Sequence, residues 1–70
     1  MFITVHNLDD IHLTKPKYLN INKVFLIEIV PTSFTFKKIY LLNVWFTTTT
    51  EYKSYYISEE TYLNIPLGVR

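Results

Sequence analysis

Four residues crowded near one end of the chain, His6, Asp9, Asp10 and His12, are the densest group able to do chemistry. Two imidazoles and a carboxylate can hold a transition metal. Whether these do depends on the loop between the strands that carry them. A two- or four-residue loop places His6 and His12 on opposite faces of a hairpin, and only a three-residue loop makes them face each other. Asn7-Leu8-Asp9-Asp10 is also turn chemistry, because Asn and Asp side chains satisfy nearby backbone and tolerate unusual φ. Turn formation accounts for both aspartates, so no metal and no cofactor is expected. A catalytic site needs a nucleophile or an acid–base pair oriented by a third group. Asp9 and Asp10 are neighbours that diverge, and Ser58, Glu59 and Glu60 fit a helix start. With zero cysteines, thiolate chemistry, disulfides and zinc fingers are excluded. No catalytic residue is assigned and no enzyme activity is expected.

Glu28 is the odd residue, a carboxylate inside an otherwise apolar run. It can bind a ligand cation, or pair with Lys23, Lys37, Lys38 or Lys53 from a neighbouring strand; pairing is the expectation, since a buried carboxylate needs a partner. A second constellation lies later in the chain. Tyr40, Tyr52, Tyr55, Tyr56 and Tyr62 interleave with Lys37, Lys38 and Lys53. Rings that stack and ammonium groups that track phosphates are the ingredients of single-strand nucleic-acid binding. A net charge of +1 does not favour that reading, because nucleic-acid modules carry a strongly basic face. Tyrosine is also enriched in protein interfaces, where it buries much area with few torsions. The expected ligand- or partner-binding residues are therefore Lys37, Lys38, Tyr40, Tyr52, Lys53, Tyr55 and Tyr56.

The elements that must position these residues are strands. The chain has no Ala and no Gln, and is rich instead in Val, Ile, Thr, Tyr and Phe, which fit a pleated surface. Phe2 to His6 alternates, and Ile11 to Thr14 alternates again, which predicts a first hairpin turning on Asn7–Asp10. Lys15-Pro16-Lys17 is a loop, since Pro lacks a donor and forces its predecessor extended. Lys23 to Val30 is apolar on both faces, with Val24, Leu26, Glu28 and Val30 on one and Phe25, Ile27 and Ile29 on the other. Pro31 ends it. Phe34 to Phe46 reads as extended and is apolar on both faces from Ile39, and Glu51 to Ile57 as its partner across a bend near Thr47–Thr50. Ser58 caps a short helix over Glu59 to Asn64, with two acids in its first turn. That helix places Tyr62 and Ile65 on the sheet, and Pro66 stops it. The fold class is mainly β (β-rich α+β): a small antiparallel sheet or partly open barrel of about five strands with a short C-terminal helix.

Seventy residues make one small domain, 1–70, with no room for a second. Such a chain buries only roughly 60% of the surface its unfolded form exposes. Two strands apolar on both faces exceed what it can cover, so a homo-oligomer, most simply a dimer, is expected. An apolar share of 49% excludes a disordered chain. No apolar run approaches 18 residues and no basic leader precedes the first strand, so neither a membrane span nor secretion is expected, and the expected location is the cytoplasm.

Ile3-Thr4, Asp9-Asp10-Ile11, Leu19-Asn20, Lys23 to Val30 and Tyr56-Ile57-Ser58-Glu59-Glu60 together resemble the flagellar FlbD-like family of small β-rich proteins. The resemblance implies a hairpin, an apolar strand, a second hairpin and an acidic helix, with a flagellar accessory role and no catalytic residues. Asn43 is followed by Val44 where that family has Asn-Gly. The Lys-, Ile-, Asn- and Tyr-rich usage is also similar in style to small bacteriophage accessory proteins. That likeness implies a viral or mobile-element anti-defence protein, acting in the host cytoplasm by inhibiting a host protein or sequestering a small anionic, nucleotide-like ligand. A nucleic-acid-binding regulator is the alternative.

Overall fold

A computed structural model describes residues 1–32, 37–46 and 51–66. The protein is mainly β, and the described residues form five strands in two antiparallel sheets and one short helix. Strand β1 (Phe2–Val5) pairs with β2 (Lys17–Asn20). A single 3-10 turn, Ile21–Lys23, leads into β3 (Val24–Pro31). Asn20 caps that turn, its Oδ1 accepting from the Asn22 amide at 3.1 Å. Strands β3, β4 (Ile39–Phe46) and β5 (Tyr52–Ser58) form the second sheet in that order. The helix α1 (Glu59–Asn64) follows directly.

The two sheets meet at one bridge. The His6 and Tyr56 amides each donate to the other residue's carbonyl at 2.8 Å. Spatial order is thus β2-β1-β5-β4-β3, left open between its ends, and the described residues form no closed barrel. The core lies between the sheets, where Ile3, Val5 and Leu19 pack with Leu42, Val44, Ile57 and Ile65. Ile27, Ile29, Tyr40, Phe46, Tyr55 and Tyr62 surround them.

Three sequence expectations are corrected here. The first hairpin does not pair Phe2–His6 with Ile11–Thr14; β1 pairs with Lys17–Asn20 instead. The reason is Asp10, whose carboxylate takes the Thr14 and Lys15 amides at 2.9 and 2.8 Å. Those donors are withdrawn from any ladder, and Leu13 sits at φ 57°, a left-handed conformation incompatible with a strand. Lys17 accordingly opens a strand rather than closing a loop, and Lys23 belongs to the 3-10 turn. The second correction is the facing of Val24. A β-bulge between Val24 and Leu26 re-phases the alternation, so Val24 joins Ile27 and Ile29 against the core while Phe25 and Leu26 are exposed. The third is the extent of β4, which begins at Ile39, after Lys37 and Lys38. Phe34 and the expected bend at Thr47–Thr50 lie outside the described residues.

The helix forms as the sequence dictates. Ser58 is extended, and its Oγ accepts from the Thr61 amide at 3.2 Å. Tyr62 stacks on Tyr40 with centroids 4.2 Å apart, and Ile65 is buried. Ser58→Ala removes the cap and is expected to cost about 1 kcal/mol, read as a small fall in melting temperature. An unchanged melting temperature would show that α1 is held by Tyr62 and Ile65 alone.

Candidate functional site

Cross-strand partners share a face, so the register sorts the tyrosines and lysines. Tyr40, Tyr55 and Lys53 stand on the core side of the second sheet, opposite Ile57, Leu42 and Val44 respectively. Tyr40 and Tyr55 pack against the core. Tyr52 and Tyr56 stand on the outer side, opposite Trp45 and Leu41. Lys37 Nζ reaches the His12 carbonyl at 3.4 Å. Lys38 Nζ meets Glu59 Oε2 at 3.1 Å, and that hydrogen-bonded carboxylate raises the lysine's pKa above its ordinary value. The seven expected site residues are therefore not brought onto one surface. Lys53 shares a side with Tyr55 and Tyr40, while Tyr52 and Tyr56 stand on the other, and no lysine of β5 backs the outer tyrosines.

The register assembles a different surface. On the outer side of β3–β4–β5, three rows run across the strands. The first is Leu26–Trp45–Tyr52, the second Glu28–Asn43–Ser54, and the third Val30–Leu41–Tyr56. Trp45 and Tyr52 rings lie 5.1 Å apart at 40°. Leu26 and Tyr52 are 53% and 56% exposed. The middle row is a hydrogen-bonded chain. Ser54 Oγ donates to Asn43 Oδ1 at 2.6 Å, which fixes the amide so that Asn43 Nδ2 donates to Glu28 Oε1 at 3.0 Å.

Glu28 thus does not pair with Lys23, Lys37, Lys38 or Lys53, contrary to the expectation. Its recorded partner is the neutral amide of Asn43, because β4 places Asn43, not a lysine, directly opposite. Beside the bulge lies a mostly apolar cleft of about 410 Å³, whose lining includes Met1, Ile21, Val24, Phe25, Leu26 and Ile27.

The His–Asp cluster takes a structural form. His6 Nδ1 lies 3.1 Å from Asp10 Oδ2, with the two side chains 7% and 8% exposed. Asp10 also accepts the Thr14 and Lys15 amides and the Thr14 hydroxyl. The Thr14 amide, foremost among these donors, holds the carboxyl well below the usual carboxylate range. Four donors on one carboxylate occupy the lone pairs a metal would need. Among the described residues no three His, Cys, Asp or Glu side chains are grouped to hold a metal ion.

Sequence reasoning missed Leu26, Asn43, Trp45 and Ser54. The signal was present in the parity: Leu41, Asn43 and Trp45 alternate on one side of β4, and Tyr52, Ser54 and Tyr56 on one side of β5. It needed the register to align Asn43 with both Glu28 and Ser54. Among the described residues no helix is long and apolar enough to cross a membrane. Comparison with protein-family models, curated proteins and solved structures finds no match to this chain.

Proposed function

We propose that this is a non-enzymatic binding protein that engages another polypeptide through the outer face of β3–β4–β5. The observation carrying this reading is the pattern of that face: two rows of apolar and aromatic side chains flank one polar row, on the side of the sheet facing away from the core. Rigid aromatic anchors beside a satisfied polar centre are the composition of an interface core. A sheet that meets only solvent normally alternates to polar residues on that side. Leu26, Val30, Leu41, Trp45, Tyr52 and Tyr56 break that alternation. The dimer expected from strands apolar on both faces is one form of the same reading, with a second copy covering the face. An accessory or inhibitory role, acting by occupying a partner's surface, fits a domain this small that carries no legible catalytic group.

The test is selection of random peptides displayed on phage against the immobilised protein, with counter-selection on Tyr52→Ala and Leu26→Ser. Both positions are more than half exposed, so neither change is expected to disturb folding, which thermal melting verifies. Sequences enriched on the wild type and lost on both variants support the reading. Equal enrichment on all three proteins, or none on any with a monomeric wild type, overturns it.

A further inference from the structure

The middle row of the outer face is more ordered than a solvated carboxylate needs. An exposed Glu is satisfied by water and gains little from a neighbour. Here one oxygen of Glu28 is held by Asn43, and Asn43 is itself held by Ser54. The relay spans all three strands and uses the amide's donor and acceptor together. Its effect is to fix a charged acceptor at one position, with Oε2 left out of the relay. Preorganised acceptors of this kind lower the ordering cost of recognition. Among the described residues, no cation of this chain pairs with Glu28.

The flanking rows specify what accompanies the cation. Residues two apart on a strand are separated by about 6.6 Å. Leu26–Trp45–Tyr52 therefore lies one such step to one side of the polar row, and Val30–Leu41–Tyr56 one step to the other. An extended segment laid along the strands presents every second side chain to the face at the same spacing. Its central cation then meets Glu28 while the residues two before and two after meet apolar rows. Arginine suits this position better than lysine, because its planar guanidinium matches a carboxylate and stacks on aromatic rings. A second copy of the face is a poorer complement. The outer side carries Glu28 and no lysine in any of its three rows, so a copy brings no cation to meet it.

We infer that the outer face of β3–β4–β5 binds an extended polypeptide segment presenting an arginine to Glu28, with apolar side chains two positions before and two after it. This rests on the reading of the face as a polypeptide-binding surface. The relay Ser54–Asn43–Glu28 positions the acceptor, and Trp45, Tyr52 and Leu41 receive the apolar side chains.

The experiment is a peptide array of apolar-Ser-Arg-Ser-apolar sequences, varying the apolar pair over Leu, Ile, Val, Phe and Tyr. Each member is matched by one with citrulline, which keeps the shape of arginine and removes its charge. Wild-type protein is expected to hold a subset of the arginine peptides about tenfold more tightly than their citrulline partners, the discrimination of one charge-assisted pair. Glu28→Gln, with an unchanged melting temperature, abolishes that preference, and Ser54→Ala reduces it. Equal binding of arginine and citrulline peptides, or a preference that survives Glu28→Gln, overturns the inference and leaves the face reading standing. No peptide bound above the Tyr52→Ala background, by a protein that is monomeric, overturns both. A wild-type dimer that Tyr52→Ala dissociates and no arginine peptide displaces identifies a second copy as the occupant, and also overturns the inference.

Discussion

Leu42→Ala is expected to lower stability by about 3 kcal/mol, within the range for a buried leucine that leaves a cavity. Leu42 is 0% exposed and stands mid-way along β4, between Ile29 on one side and Tyr55 on the other. Both neighbouring strands are held in register, so neither can slide in to fill the void. At the usual per-residue stability, a chain of this size has only about 3–10 kcal/mol in total. The loss is therefore a large share of everything holding the fold. It reads out as a melting temperature lower by roughly 10–20 °C, or as no cooperative transition. Leu63→Ala is the control, because Leu63 is 61% exposed and its truncation is expected to change stability by less than about 0.5 kcal/mol. Equal effects of the two substitutions would mean that the core does not sit between the sheets.

The second large effect is expected at Asp10. Its carboxylate organises the connection from His6 to Lys15 through the Thr14 and Lys15 amides, the Thr14 hydroxyl and the His6 ring. His6 in turn is the residue whose backbone ties β1 to β5. Asp10→Ala leaves these donors without their acceptor and loosens the bridge joining the sheets. A fall in melting temperature on the order of 10 °C is expected, with a smaller fall for Asp10→Asn, which keeps one acceptor oxygen. The pH dependence has a definite sign. The folded-state pKa is depressed, so the stabilisation is fully present above the unfolded aspartate pKa of about 4. It is lost as pH falls from there through the folded value. Acid titration of the melting temperature is expected to show this loss in the wild type and to lack it in Asp10→Asn. Superimposable acid profiles for the two proteins would remove Asp10 from its role.

Elements governed by local chemistry were legible in the sequence. Ser58 with Glu59 and Glu60 specifies a capped helix start, and Pro66 a stop, and the helix runs between them. The run from Ile39 to Phe46, apolar on both faces, specifies β4, and the β5 tyrosines specify its partner. Elements decided by a side chain reaching several residues along the chain were not legible. Alternation in Ile11 to Thr14 is as regular as in β1, yet Asp10 captures the Thr14 and Lys15 amides and hands the pairing to Lys17–Asn20. The bulge at Phe25 has no local sequence signature, and it reverses which side Val24 faces. The site was half legible. Glu28 stood out as a carboxylate suited to a cation, but its partner followed from register rather than composition. Strand parity divides Tyr52 and Tyr56 from Lys53 and Tyr55, so the seven expected residues do not share one side of the sheet.

The same bulge bears on how the protein keeps to itself. Strand β3 forms one border of its sheet, and a long regular border with unspent amide and carbonyl groups is a template onto which further chains add without limit. Here the irregularity between Val24 and Leu26 interrupts that border near its start, and Pro31 withholds a donor at its end. Glu28 adds a charge between them that would repeat, unneutralised, in a parallel in-register stack. What remains for uninterrupted pairing is a stretch from Leu26 to Val30, short and charged at its middle. The outward apolar residues Leu26 and Val30 are thus carried on a strand whose side is blunted, and growth into fibrils is disfavoured.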